Sequence, residues 1–269
     1  MRYVAPVRGT VDPQVFDRPP LVAWQDHARL LHGSDWPTIE ALNALWPAGS
    51  PTCFVAQDLE LLADGLHYEQ RIAERGAIAT REGNWHDLLN ALIWLRHPAL
   101  KQALNHRQMI EIARMGPKLR SRAQYAMTHF DEGGVIVLVR DAALMALWDE
   151  HDWHGLFWRH RDAWIDGSIQ VELFGHALLE HALSPDKLLV GKAVVFQSTG
   201  TADIEQVSAY CAEQIAAGQL LHDPLELRPL PLSGIPGWHP ANVDEAFHRT
   251  TICYQARRAG RHYPSAHAL

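Results

Sequence analysis

Apolar residues recur at helical spacing along much of the chain. The clearest helix is predicted over Trp85–Leu95, where Leu88 and Leu92 repeat on one face. Asn84 is a favourable N-cap for this helix, because its side chain can accept a hydrogen bond from the first turn. The same periodicity, with helix-ending residues, predicts the remaining helices, which cover Leu21–Leu31, Pro37–Trp46, Ala99–Met109, Asp141–Trp148, Trp153–Trp164, Gly175–Leu183 and Asp203–Ala217.

Runs of β-branched and apolar residues predict short strands between these helices. Val135–Val139 is the clearest, because it follows two glycines and contains only Val, Ile and Leu. Ile169–Leu173 and Ala193–Phe196 are further strands, and Cys53–Val55 is a shorter piece of the same kind. Tyr68–Ile72 alternates only weakly, so strand and helix both stay open there. The predicted fold class is α+β, predominantly helical with a small sheet of about three to four short strands.

The chain divides by composition into three consecutive segments. Residues 1–50 are interpreted as an N-terminal helical segment, residues 51–240 as the main domain and residues 241–269 as a C-terminal tail, all in one compact unit. Leu225–Pro240 carries four prolines and is predicted to be an extended, polyproline-like stretch on the surface. The last residues, Ala259–Leu269, are small and polar and are expected to fray.

Cysteine usage and the N-terminus bear on the cellular compartment. Cys53, Cys211 and Cys253 are far apart and no CxxC pair occurs, so neither a disulfide framework nor a thiolate zinc knuckle is expected. The N-terminus lacks the apolar region of a signal peptide, and no apolar stretch is long enough to cross a bilayer. We therefore expect a cytoplasmic protein with no membrane association.

The charge balance bears on partners. The formal net charge is −7 and the basic residues are thinly distributed, whereas nucleic-acid binding needs a dense basic face. Arg114–Arg122 is locally basic and is interpreted as a solvated loop. We expect a small-molecule ligand and no nucleic-acid partner. Whether the protein has a protein partner is left open.

The densest polar segment surrounds the start of the Trp85–Leu95 helix. His86 and Asn90 are four residues apart and share a helix face. His86 and Asp87 can both reach a ligand at the helix N-terminus, where backbone N–H groups favour an anion. Capping of the helix together with a half-buried histidine is the alternative interpretation.

Two further groups of acids and histidines follow. Asp131 and Glu132 are adjacent carboxylates just before a predicted strand. Such a pair suits general acid–base catalysis or the binding of a hard cation, and a solvated turn is the alternative interpretation. His176 and Glu180 share a helix face and form a candidate metal-binding or ligand-supporting pair. His181 is one residue out of place for the HxxEH spacing and HExxH is absent, so a zincin is excluded.

Several of these segments occur together as a pattern. These segments are Tyr68-Glu69-x-Arg71-Ile72, Asn84-Trp85-His86-Asp87-Leu88-x-Asn90-Ala91, Lys101-x-x-Leu104-Asn105, Phe130-Asp131-Glu132-x-Gly134, Phe174-Gly175-His176-Ala177-Leu178 and Pro236-Gly237-Trp238. Through them the chain resembles a bacterial family labelled domain of unknown function 3025, from about Tyr68 to Trp238. The resemblance implies no activity.

The characteristic positions of this pattern are mostly polar, which favours one shared network, since buried polar groups need partners. We hypothesise that they converge on a cleft at the N-terminus of the Trp85–Leu95 helix. The residues expected to carry catalysis are His86, Asp87, Asp131, Glu132 and His176. Those expected to bind ligand are Glu69, Arg81, Asn84, Asn90, Lys101 and Asn105.

The cofactor is left open, with a divalent metal as the candidate. Its expected ligands are His86, His176 and Asp131, and general-base catalysis by His86 is the alternative. No P-loop or dinucleotide motif occurs, so a hydrolase or lyase is favoured over redox chemistry. No GxSxG motif occurs either, so a serine hydrolase has no support. The competing hypotheses are a non-catalytic ligand-binding module and an interaction protein that uses Leu225–Pro240 for recognition.

Overall fold

The computed structural model describes residues 3–116 and 119–269. The α-helices in these residues are α1 (Ala28–Leu31), α2 (Ile39–Asn43), α3 (Leu59–Leu62), α4 (Tyr68–Arg75), α5 (Trp85–Arg96), α6 (Pro98–Met115), α7 (Arg122–Gly133), α8 (Ala142–Asp149), α9 (Asp162–Ile165), α10 (His176–Ala182), α11 (Ile204–Ala216) and α12 (Glu245–Thr250). The strands are β1 (Cys53–Ala56), β2 (Ala77–Thr80), β3 (Gly134–Val139), β4 (Ile169–Leu173), β5 (Val190–Gln197), β6 (Arg228–Pro231) and β7 (His267–Ala268).

The strands form two sheets. The larger has the order β4-β3-β5-β6, with β7 added to the end of β5, and β3 is buried along its whole length. β3 and β5 are parallel, while β4 and β6 run antiparallel to their neighbours. The smaller sheet is the parallel pair β1 and β2. The α+β class is confirmed, but the predicted three to four strands are too few, because the described residues hold seven.

The missed strands are short or proline-containing. β2 has four residues, all buried, and so shows no alternation that a sequence pattern could reveal. The prediction of a surface polyproline stretch over Leu225–Pro240 is wrong, because β6 lies within it and Leu230, Leu232 and Ile235 are buried. The prolines are tolerated because β6 is an edge strand. A proline there lacks an N–H group but removes no hydrogen bond between two central strands. The predicted frayed C-terminus is also wrong, since β7 pairs with β5.

Several predicted helices differ from those in the structure. Leu21–Leu31 is a 3₁₀ helix over Leu21–His27 followed by α1, and Trp153–Trp164 divides into a π turn and α9. Helix α7 was not predicted, so Asp131 and Glu132 lie in the last turn of a helix rather than in a solvated turn. Pro117 and Lys118 of the predicted basic loop lie outside the described residues. Among the helices described, none combines the length and apolar character that crossing a bilayer requires.

The backbone around Gly175 brings the ends of α7 and α10 together. α7 continues directly into β3, and β4 leads through Phe174 and Gly175 into α10. The N–H groups of Phe174 and Gly175 donate to the carbonyl of Gly134 at 3.0 and 2.8 Å. A Cβ atom on Gly175 would lie 2.5 Å from the Cα of Gly133, so the two segments touch backbone to backbone. This contact places His176 beside Glu132.

We therefore expect the substitution Gly175→Ala to lower the free energy of unfolding by about 1–3 kcal/mol, because the new methyl group meets backbone that cannot move aside. Urea unfolding followed by circular dichroism measures this change. Gly133→Ala is the matched control, since its Cβ meets only the Cγ of Lys192, at 3.4 Å. Equal stability of the two variants would contradict the proposed close contact.

Candidate metal centre

The predicted site residues meet in one cavity of about 360 Å³ that is bordered by α5, α6, α7 and the start of α10. Asn84 is the exception: it caps α5, and its Oδ1 accepts the N–H of Asp87 at 3.1 Å. The predicted residues that line the cavity are Glu69, Arg81, His86, Asp87, Asn90, Lys101, Asn105, Asp131, Glu132 and His176.

Two imidazole rings from different helices face each other in this cavity. Nε2 of His86, in the first turn of α5, lies 3.0 Å from Nε2 of His176, the first residue of α10. The rings are nearly perpendicular, at 77°. The sequence placed Glu180 on the same helix face as His176, but the carboxylate of Glu180 accepts from Nδ1 of His86 at 3.0 Å instead. That hydrogen bond is the main reason why the pKa of His86 is raised.

His176 is the more deeply buried of the two histidines, with 3% of its surface exposed. Burial lowers its pKa to about 3, so the ring is neutral near neutral pH. Its Nδ1 atom makes no hydrogen bond within the described chain and lies 4.0 Å from Oδ2 of Asp131. Its Nε2 atom is the one that faces His86 and the cavity.

Glu132 is the third group at this point. Its Oε2 atom lies 3.5 Å from Nε2 of His176, and ligand atoms of His86, Glu132 and His176 all lie within 4.8 Å of one another. Burial raises the pKa of Glu132, and the nearby His86 opposes that shift. The side chain is 46% exposed, so it can still turn toward an incoming group.

The surrounding carboxylates indicate which nitrogen of each ring carries hydrogen. A carboxylate accepts but does not donate, so Glu180 favours hydrogen on Nδ1 of His86. The Asp131 carboxylate lies 4.0 Å from Nδ1 of His176, too far for a hydrogen bond, but its negative charge favours hydrogen on that atom. Both Nε2 atoms then carry lone pairs, and two lone pairs at 3.0 Å repel unless a proton or a metal ion lies between them. The arrangement is suited to holding a cation.

Asp131, which was expected to bind the metal, faces a different way from Glu132. Consecutive helical residues point about 100° apart, so Glu132 approaches Nε2 of His176 whereas Asp131 lies on the Nδ1 side of that ring. Oδ1 of Asp131 accepts from Nζ of Lys101 at 2.6 Å, and Nζ also donates to Oδ1 of Asn90 at 2.7 Å. Burial raises the pKa of Asp131, but Lys101 and His176 more than offset this and leave it lowered.

A second buried network lies beside Lys101. Nδ2 of Asn90 donates to the hydroxyl of Tyr68 at 3.1 Å. Nδ2 of Asn105 donates to the carboxylate of Glu69 at 2.7 Å and to its backbone carbonyl at 2.9 Å. Burial raises the pKa of Glu69. These amides therefore connect α4 to α5 and α6 and form one wall of the cavity.

Asp87 and Arg81 form a clamp at the start of α5. The Asp87 carboxylate accepts from the backbone N–H, Nε and Nη2 of Arg81 at 2.7, 3.0 and 2.7 Å. Both carboxylate oxygens are thus engaged. The clamp ties the segment after β2 to the helix that carries His86.

Sequence reasoning missed several cavity residues. The partner of Glu180 depends on how α10 packs against α5, which no local spacing reveals. Gln124, Met127 and Thr128 lie on α7, the helix that was not predicted. Gln108 lies on α6, where a neutral amide gives no signal of chemistry. Helical periodicity over Arg122–Gly133 is the signal that could have located the first three.

Comparison with known proteins adds a family but no activity. A family model described as "Protein of unknown function (DUF3025)" matches residues 52–258, well over half of the chain. No curated protein and no solved structure matches the chain.

We expect Asp87→Asn to lower the free energy of unfolding by about 2 kcal/mol, because the hydrogen bonds from Arg81 to a charged carboxylate are lost. Denaturant unfolding of the purified variant checks this value. Glu150→Gln is the control: it breaks an ion pair with Arg257 that is largely exposed, so its effect should stay below about 1 kcal/mol. A loss for Asp87→Asn no larger than that of the control would show that the clamp contributes little.

Proposed function

The chain belongs to the DUF3025 family, whose description carries no activity, and from its site we propose that it is a divalent-metal enzyme of the hydrolase or lyase type. The proposed ligands are His86, His176 and Glu132. The observation that carries the proposal is the pair of Nε2 atoms facing each other at 3.0 Å with a carboxylate alongside. Asp131 becomes a supporting group in this proposal.

The spacing of the ligand atoms supports zinc. Two ligands at about 2.0–2.1 Å from a tetrahedral ion lie roughly 3.3 Å apart. The distances of 3.0 Å between the two Nε2 atoms and 3.5 Å from Nε2 of His176 to Oε2 of Glu132 are close to that value, and the three ligand atoms all lie within 4.8 Å of one another. Two histidines and one glutamate also form a set used by catalytic zinc sites, which keep a further position open for water or substrate.

The groups behind the imidazoles support metal binding as well. Metal-binding histidines usually direct their other nitrogen at a carboxylate or carbonyl, which orients the ring and makes it more basic. Glu180 stands in that relation to His86, and the Asp131 carboxylate lies 4.0 Å from Nδ1 of His176.

The cavity supports catalysis rather than storage of the ion. At about 360 Å³ it is large enough for a small substrate beside the ligands. A divalent cation supplies Lewis acidity and makes bound water more acidic. In hydrolysis, water would bond to the electrophilic centre as the bond to the leaving group breaks. Asp131, which lines the cavity, would accept a proton from that water and return it to the leaving group.

We expect the untagged protein to retain about one zinc ion per chain after dialysis, and His86→Ala and His176→Ala to lose it, because each variant removes a ligand. Elemental analysis by mass spectrometry measures the zinc. His154→Ala is the matched control: His154 pairs with Glu245 at 3.0 Å and belongs to no such cluster within residues 3–116 and 119–269. Absence of zinc from the wild type, or its retention in His86→Ala, would contradict the proposal.

The same preparations separate catalysis from binding. Zinc-loaded wild type should hydrolyse p-nitrophenyl acetate or p-nitrophenyl phosphate faster than His86→Ala does. Zinc binding without turnover of either compound would favour the non-catalytic binding function instead.

Glu180→Gln should weaken zinc binding by about 10- to 100-fold, because the charge that orients His86 and increases its basicity is removed. Competition with a fluorescent zinc chelator gives the dissociation constant. Glu245→Gln makes the same change beside His154 and should leave zinc affinity unaltered. Equal affinities for the two variants would rule out the supporting role of Glu180.

A further inference from the structure

The cavity extends well beyond the candidate metal centre, along a groove between two antiparallel helices. The α6–α7 groove is defined by the cavity-lining residues Leu104, Gln108 and Ile112 of α6 and Gln124, Met127 and Thr128 of α7. Residues three or four apart on a helix share a face, so each set forms a continuous wall.

The length of the groove follows from helix geometry. Lys101 of α6 and Asp131 of α7 are in contact at 2.6 Å, so both helices reach the metal end there. From Asp131, the cavity wall runs back along α7 to Gln124. At about 1.5 Å of rise per residue, this stretch spans roughly 10 Å. A ligand that fills the cavity is therefore elongated.

The middle of the groove offers a buried amide. Gln108 is only 8% exposed and lines the cavity, with Leu104 and Ile112 one helical turn to either side. Its amide atoms are not among the fully buried polar atoms of the described residues that lack a partner, so the amide is accessible from the cavity. An amide group in a ligand can both donate to Gln108 and accept from it.

The outer end of the groove is cationic. Arg120 is exposed, lines the cavity and takes part in no ion pair among the residues described. The other cavity cations are already neutralised, since Lys101 is bonded to Asp131 and Arg81 is clamped by Asp87. Among the residues described, Arg120 is therefore the cavity cation without a carboxylate within ion-pair distance, although its charge is felt by Glu69, and a single cation suits one carboxylate rather than a polyphosphate.

We propose that the α6–α7 groove binds a short acyl-amide chain: its reacting end lies at His86, His176 and Glu132, its amide pairs with Gln108, and its terminal carboxylate meets Arg120. This inference rests on the proposed metal function, because it places the reacting end of the chain at the metal. The substrate class is thus a short peptide-like or N-acylated amino acid. The apolar side chains of Leu104, Ile112 and Met127 enclose its methylene groups.

Two hydroxamates of equal length test this assignment on the zinc-loaded protein. One is suberic acid monohydroxamate, and the other is its analogue in which an amide replaces the two central methylenes. Isothermal titration calorimetry should show that the amide analogue binds at least about tenfold more tightly than acetohydroxamate, which lacks the chain. An equal affinity for the amide analogue and acetohydroxamate would overturn the proposal.

Two variants locate the contacts, and zinc content measured on each shows that the metal centre is intact. Gln108→Leu should reduce the affinity for the amide analogue about tenfold while leaving suberic acid monohydroxamate unaffected. Arg120→Ala should weaken both probes. Arg122→Ala is the control, because Arg122 is already paired with Asp223 and does not line the cavity. Unchanged affinity in Gln108→Leu or in Arg120→Ala would overturn the corresponding contact.

A probe without a metal-binding group separates this inference from the proposed function. N-propionyl-β-alanine carries the same amide and carboxylate, and its binding to metal-free protein can be followed by ligand-observed NMR. Binding that Gln108→Leu abolishes would uphold the groove even if no zinc were found. Zinc binding without any response to the amide probes would uphold the metal centre and overturn the groove.

Discussion

A buried ammonium group organises the centre of this molecule. Lys101 is 3% exposed, and a cation removed from water this completely needs a close counter-charge. Asp131 provides the charge and Asn90 a second acceptor, so that one side chain of α6 holds α5 and α7 together. The position of α7 follows from this contact. Because Glu132 is the next residue along α7, the orientation of the third proposed metal ligand depends on the same interaction.

Backbone packing supplies the second half of the arrangement. α7 enters β3 without a loop, and β4 returns beside β3 to start α10, so the sheet register sets where His176 lies relative to Glu132. The close approach of Gly175 to Gly133 leaves no room for a side chain between the two segments. The ligand atoms of His86, His176 and Glu132 lie within 4.8 Å of one another. A small shift of either backbone segment would therefore move the imidazoles away from the carboxylate.

The chemistry of the cavity reflects how its charges are shared. Arg81 and Lys101 each have a carboxylate of their own, so neither adds uncompensated positive charge beside the imidazoles. Glu180, Glu132 and Asp131 surround the two rings with negative charge, which favours an additional cation at their Nε2 atoms. The proposed metal function and the proposed acyl-amide substrate both depend on this separation: the metal end attracts a cation, and the outer end at Arg120 attracts an anion.

Local sequence information was sufficient for the cap and apolar face of α5, for the buried run in β3, and for the polar residues that meet in the cavity. These features arise within a few residues through helical periodicity, capping and β-propensity. Only the tertiary structure decided that Glu180 bonds to His86 and that Glu132 rather than Asp131 approaches Nε2 of His176. The contacts of His86 with His176 and Glu180 join residues 90 and 94 positions apart, and no local pattern specifies the packing that brings them together. The same holds for β6. Its prolines predicted a surface segment, but they are compatible with a strand because β6 pairs with β5 at the edge of the sheet.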